Sequence, residues 1–383
     1  MRKLRMGMVG GGKDAFIGAI HRIAANMDGL IELSCGALSI NPDIAIESGK
    51  ILFLPEDRTY LTYDEMIKKE SELPAHKRID FITIVTPNFA HFAPAMMALD
   101  HGFNVVIEKP ITLSLDEAKE LKKKVDETGL LLCLTHTYSG YPMVKEARQH
   151  IKNGALGKVR KIFVEYRQGW LSTLSEREGN AQAAWRTDPK KSGKSGVMGD
   201  IGTHAAHLAE YISGLHITHI CAQLNTIVEG RALDDDGSVL LKFENDASGV
   251  LIATQVAAGE ENNLAIKIYG EKGGMEWNQQ EPNTLLVKWL DKPAEIFRAG
   301  SGYLSSFAKN NCRTPGGHPE GYLEAFANIY RNFALTLSAR VNNINLENDI
   351  DFPTVEDGIR GMAFIENVVK SNLSKEKWME YIV

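Results

Sequence analysis

Apolar residues in the first part of the chain alternate between two rhythms. Nearly continuous apolar runs at residues 4–9, 31–38, 79–85, 104–107 and 130–135 have the make-up of strands buried on both faces. Between them, apolar positions recur every third or fourth residue, as on one side of a helix. Phe16, Ile17, Ile20, Ile23, Ala24 and Met27 form one such stripe, and Leu115, Ala118, Leu121 and Val125 form another. Ser114 and Glu117 carry the spacing of a capping box and open the second of these helices. Strand–helix alternation predicts right-handed crossovers and a parallel sheet, which binds ligands beyond the carboxyl ends of its strands.

From about residue 140 the rhythm changes. A helix carrying Val144, Ala147 and Ile151 ends near Asn153 and Gly154, and strand-like runs follow at 159–166, 217–227, 239–243, 249–256 and 264–269. Turn signals such as "ENDASG" and "GEKGG" separate them, which predicts a mostly antiparallel sheet. Helices return at 199–212, near 322–337 and near 355–369. The expected fold is therefore α/β: a dinucleotide-binding domain over 1–138, and an α+β domain with a large open sheet over 139–383 that binds substrate and makes oligomer contacts. Alternating apolar residues on an uncovered face of that sheet predict a homodimer or homotetramer.

Composition narrows the function classes. A length of 383 residues suits two domains, and a formal net charge of −6 argues against nucleic acid, which would call for a basic face. No apolar run reaches membrane-spanning length, and "MRKLRMGMVGGG" enters a glycine loop before a signal-peptide core can form. The four cysteines are widely spaced and read as reduced thiols. A cytoplasmic enzyme is expected.

Four polar clusters fall at the strand ends. They are Gly10-Gly11-Gly12, Thr86-Pro87-Asn88, Glu108-Lys109-Pro110 and Thr135-His136-Thr137-Tyr138. Gly10 and Gly12 permit a tight turn and close approach of backbone to a diphosphate, with the third small position filled by Ala15 or by Gly18. The end of the second strand offers Ser39, or Leu38 under a one-residue shift, where a ribose-binding carboxylate is common. The cofactor is thus NAD or NADP, with NAD favoured. Pro110 restricts Lys109 to extended backbone, and a cis bond between them is expected.

In the second domain, "GVMGDIGTHAAHLAEYISG" sets Asp200 and His204 four apart, on one side of a helix. His207, His216 and His219 follow, but no ligand set at zinc spacing accompanies them, so no metal is expected. An Asp/His pair beside a dinucleotide suits general acid–base chemistry. The acidic run at 234–236 reads as a solvated loop.

Taken together, the glycine loop, T-P-N-x-x-H (Thr86 to His91), E-K-P and G-D-I-G-T-H resemble the glucose–fructose oxidoreductase/inositol dehydrogenase (Gfo/Idh/MocA) family over nearly the whole chain. The resemblance implies oxidation of a secondary hydroxyl of a sugar, glycoside or cyclitol, with hydride passed to NAD or NADP. Redox-neutral glycosidase- or epimerase-like turnover on recycled NAD is the alternative. The family's catalytic trio falls on Lys109, Asp200 and His204. Gly10, Gly12, Phe16, Ile17, Ser39, Thr86, Asn88, His91, Glu108 and Lys109 are implied as cofactor contacts, with Trp185 and Arg186 reaching in from the second domain. Tyr138, Tyr141, Trp170 and His318 are candidates to touch sugar. Specificity is expected in the loops 169–194 and 300–319.

Overall fold

The computed structural model describes residues 2–13, 15–346 and 350–383. The predicted runs of the first domain form strands β1 (Leu4–Gly10), β2 (Ile31–Ala37), β3 (Phe81–Val85), β4 (Asn104–Ile107) and β5 (Leu132–Leu134). They make one five-stranded sheet, ordered β2-β1-β3-β4-β5, and every pairing is parallel. Every residue of β3, Phe-Ile-Thr-Ile-Val, is buried, as suits a central strand between covering layers. Strand order reverses between β1 and β3, which makes their carboxyl ends the natural ligand crevice. Gly10 and Thr86 stand at that point.

One layer over this sheet comes from far along the chain. The helix Tyr322–Asn342 places Phe326, Ile329, Tyr330, Phe333 and Leu337 in a core shared with Met6, Met8, Phe81 and Val106. Phe333 meets Phe81 edge-on at 5.1 Å. Burial of each such side chain contributes about 1.5–3 kcal/mol. The first compact unit accordingly comprises residues up to Thr137 together with Tyr322–Ile359, and the second comprises Tyr138–Gly321 and Arg360–Val383. This corrects the contiguous 139–383 expectation. The three- and four-residue spacing announced an amphipathic helix, but the pattern does not say which sheet the helix covers.

The second unit holds β6 (Val159–Arg167), β7 (Ile217–Asn225), β8 (Asp236–Phe243), β9 (Ser248–Thr254) and β10 (Asn263–Gly270). It also holds four strands the pattern did not single out: β11 (Gly273–Asn278), β12 (Thr284–Trp289), β13 (Glu295–Arg298) and β14 (Met379–Glu380). They form a nine-stranded sheet, β13-β12-β11-β10-β6-β9-β8-β7-β14. Only β6 and β9 run parallel. Ile162, Val164 and Tyr166 of β6 are buried on the face covered by the helices Pro142–Lys152 and Thr203–Ser213, while Phe163 is exposed.

The acidic run at 234–236 is not a solvated loop. Asp234 accepts from Ser195 Oγ at 2.7 Å and Gly196 N at 3.0 Å, tying down the chain before the 203–213 helix. Asp235, 1% exposed, pairs with Arg231 at 3.0 Å, and Asp236 accepts from Asn225 Nδ2 at 2.9 Å. Each carboxylate has a buried or half-buried donor to satisfy, which outweighs the preference of such residues for water.

Candidate active site

In the first unit the ligand edge begins with the glycine loop. Gly10 and Gly11 have φ of +80° and +73°, a region other residues rarely adopt. A Cβ on Gly12 would stand 2.7 Å from Ser48 Oγ and 2.8 Å from Leu38 O, so only glycine lets β2's exit cross here. A Cβ on Gly18 would stand 2.4 Å from Gly11 Cα. Close helix–loop packing therefore falls to Gly18, whereas Ala15 is the extended residue preceding the helix Phe16–Asn26. That helix starts without a side-chain cap and without an acid in its first turn, leaving its amide donors for an anion. The loop thus fits the diphosphate of a dinucleotide. Phe16 is 67% exposed, whereas Ile17 packs on the core of the unit. Ser39 Oγ accepts from Asn41 N at 3.1 Å, starting the cap of the helix Pro42–Ile51.

Past β3, Thr86 Oγ1 donates to Ala90 O at 2.9 Å and closes a short turn through Asn88, which is 7% exposed. His91 departs from expectation. It is fully buried, with Nδ1 2.8 Å from Pro110 O and Nε2 2.8 Å from Thr86 O. Both nitrogens face backbone carbonyls of the two loops, and the one that carries the proton donates, so His91 is a strut and not a lining group. Burial lowers its pKa, and the Lys109 ammonium adds to this, against the raising effect of the two carbonyls.

Lys109 sits where β4 ends, and the Lys109–Pro110 bond is cis, as expected. Beside it Glu108 joins a buried chain. His21 Nε2 donates to Glu108 Oε1 at 2.9 Å, Thr135 Oγ1 donates to the same oxygen, and His21 Nδ1 lies 2.6 Å from the Tyr330 hydroxyl. Burial alone would raise the Glu108 pKa, but His21, Thr135 and Lys109 together hold it below the usual carboxylate value. Thr135 belongs to the strand-end cluster the sequence singled out, whereas His21 and Tyr330 were not among its candidates. His21 carried a faint signal, as a polar residue inside an apolar helical stripe.

In the second unit Asp200 and His204 lie on consecutive turns of different kinds. Met198–Gly202 forms a π-helical turn, in which Thr203 N–H donates to Met198 O five residues back, and the α-helix Thr203–Ser213 follows. Wide turns of this kind occur often at functional sites. The simple four-residue face inferred from sequence is modified accordingly. His204 is 7% exposed, and the Tyr138 ring meets it edge-on at 4.9 Å.

Asp200 is held from two sides. Gln255 Nε2 donates to Asp200 Oδ2 at 2.8 Å, and Arg186 Nε lies 3.4 Å from the same oxygen. Arg186 also stacks over Trp185 at 4.2 Å and Trp170 at 5.9 Å. A belt of side chains links the two candidates. Tyr138 bonds the Tyr166 hydroxyl; Tyr166 and Gln168 both donate to Asn262 Oδ1 at 2.7 Å; Gln255 reaches Gln168 Oε1 at 3.2 Å. Trp170 Nε1 donates to Gln168 Oε1 at 2.9 Å. Tyr166, Gln168, Gln255 and Asn262 escaped the sequence reading, because a strand tyrosine and amides at strand ends carry no spacing signature.

Tyr141 is 2% exposed in the unit's interior, stacked on Tyr138 and tilted against Trp277, so it serves packing and not sugar contact. His318 lies on an exposed turn and bonds Pro315 O at 3.2 Å. Among the described residues no group of three His, Cys, Asp or Glu is placed to hold a metal. No helix among them is long and apolar enough to cross a membrane.

Similarity to known proteins extends over both units. Residues 45–136 match the "Oxidoreductase family, NAD-binding Rossmann fold" model, and residues 144–276 match the "GFO/IDH/MocA C-terminal domain". An uncharacterized oxidoreductase of Bacillus subtilis, YfiI, is 31% identical over 99% of this chain and 97% of its own length. The crystal structure of an oxidoreductase from Sinorhizobium meliloti is 41% identical with a TM-score of 0.90, covering 99% of this chain and 100% of that one. An inositol dehydrogenase homolog from Azotobacter vinelandii, solved with NADH and myo-inositol, is 31% identical with a TM-score of 0.91, covering 99% and 98%.

Proposed function

The chain belongs to the GFO/IDH/MocA oxidoreductase family, with its NAD-binding Rossmann fold, and from that premise we propose that it oxidises a secondary hydroxyl of a cyclitol or sugar. The observation that carries this reading is the full-length likeness to a homolog crystallised with NADH and myo-inositol. NAD or NADP, when bound, supplies the hydride acceptor. Gly10, Gly12 and the amide end of the 16–26 helix would hold its diphosphate, and Thr86, Asn88 and Glu108 would serve its nicotinamide half.

The chain's own groups handle the proton and the developing charge. His204 takes the hydroxyl proton as general base, in a setting where the Tyr138 ring fixes the imidazole plane. Lys109 donates to the reacting oxygen and stabilises its alkoxide character. Asp200, kept in place by Gln255 and Arg186, accepts from a neighbouring hydroxyl and orients the ring to be oxidised. Trp170, Tyr138 and His318 remain the sugar-contact candidates.

The reading includes a cytoplasmic homodimer or homotetramer. The oligomer is supported by a row of apolar side chains, Leu240, Val250 and Phe163, paired across β8, β9 and β6 on the open face of the large sheet. The test of function is a panel of inositols, free sugars and glycosides with each dinucleotide. Nicotinamide reduction in step with ketone formation supports the proposal. Glycoside cleavage or epimerisation at constant nicotinamide absorbance defeats it in favour of the redox-neutral alternative.

A further inference from the structure

Behind the Glu108 carboxylate runs a buried chain drawn from four parts of the first unit. His21 comes from the helix that follows the glycine loop, Thr135 from the end of β5, Tyr330 from the 322–342 helix and Thr83 from β3. His21 has no solvent exposure, and its ring is set edge-on to Phe326 at 4.7 Å and to Tyr330 at 5.7 Å. Tyr330 in turn donates to Thr83 Oγ1 at 3.3 Å, and Thr83 is fully buried. The chain therefore ends inside the core. Such a dead end offers no route for protons to water; it suits an anchor.

The anchor acts on one oxygen. His21 and Thr135 both donate to Glu108 Oε1, while the Glu108 side chain keeps 12% exposure. We propose that His21 is a positioning residue for the cofactor: by holding Oε1 it turns Glu108 Oε2 to accept from a ribose hydroxyl of the bound dinucleotide. A carboxylate free to rotate would lose this preorganisation, and a neutral one would lose the stronger charge-assisted bond. Because His21 and Gly18 share a helix, the segment that packs on the diphosphate loop also sets the ribose acceptor. This inference rests on the oxidoreductase reading above.

The test is NADH binding to the full chain by nicotinamide fluorescence, with thermal melts alongside, for wild type, H21L, H21Q, E108Q, Y330F and H21L/E108Q. His21→Leu is expected to weaken NADH about 10-fold, the scale of a hydrogen bond to a charged group. His21→Gln, which keeps an N–H at the Nε2 position, restores most of that affinity. The double variant is expected to bind no more weakly than E108Q alone, since both changes remove one interaction. A residue that only fills the core would lower the melting temperature and leave affinity alone, or add its loss to that of E108Q. Either result overturns the proposal. Tyr330→Phe, which frees His21 Nδ1 without changing volume, is expected to weaken NADH several-fold and decides the matter should H21L fail to fold. A wild-type chain that binds neither NADH nor NADPH would instead refute the underlying oxidoreductase reading.

Discussion

Gly18 lies so close to Gly11 that a Cβ on Gly18 would stand 2.5 Å from the Gly11 carbonyl oxygen. The obstacle is backbone and has no rotamer by which to yield. Gly18→Ala is expected to push the 16–26 helix off the loop, costing roughly 1–3 kcal/mol of stability as overpacking does. Dinucleotide affinity falls with it by 10-fold or more, measured by fluorescence titration. Ala15→Gly, at the other position the sequence allowed, is expected to bind as the wild type does.

Gln255 is the donor that keeps Asp200 in one orientation. Gln255→Leu keeps the volume and removes the N–H, so turnover is expected to drop about 10-fold, the worth of one hydrogen bond to a charged group. Steady-state kinetics at saturating dinucleotide check this. Unchanged kcat and substrate KM would remove Asp200 orientation from the mechanism.

Much of this arrangement was legible in the chain. Strand-like runs located β1 to β10 within a few residues, because burial on one or both faces leaves a two-residue or continuous apolar trace. The glycine loop, Lys109, Asp200 and His204 became candidates because glycine and charged residues interrupt the apolar pattern at strand ends and at a helix start. What escaped was set by long-range packing. Local periodicity cannot assign the 322–342 helix to the first sheet, cannot see that His91 is a brace, and cannot join His21 to Glu108 across 87 positions. The aspartates at 234–236 misled for the same reason, since their donors come from Ser195, Arg231 and Asn225.

Arg231, whose side chain is 1% exposed, holds Glu176 and Asp235 at 3.0 Å each and donates to the carbonyls of Leu171 and Thr173. It pins the start of the loop that carries Trp170. Arg231→Met leaves buried Asp235 and half-buried Glu176 without their cation and is expected to cost about 3–5 kcal/mol in urea unfolding. The triple variant R231M/E176Q/D235N recovers a large part of that loss. Equal stability of the single variant and wild type would contradict the role assigned to this cluster.

Glu210 provides a pH signature. Burial pushes its pKa up, but the Arg360 guanidinium, His216 and the Ile217 amide outweigh burial and hold it below the ordinary carboxylate value. A depressed folded pKa contributes stability that is fully present above the unfolded value of about 4.3 and is lost as pH falls through the folded one. His216, raised chiefly by Glu210, works in the opposite sense: its share is present below about 6.5 and fades as pH rises. Arg360→Met is expected to lower stability at neutral pH and to flatten the acid limb of the stability–pH curve. Urea unfolding at stepped pH measures both, and parallel curves for variant and wild type would refute the assignment.

Hydride transfer itself is most directly followed with an inositol or sugar deuterated at the carbon to be oxidised. Mass spectrometry of the reduced nicotinamide is expected to find one deuterium for each ketone formed, with Lys109→Ala slowing that transfer about 100-fold or more while the protein stays folded. Deuterium retained in the product, or a Lys109→Ala chain that transfers it at the wild-type rate, would contradict the proposed reaction and the residue placed at its centre.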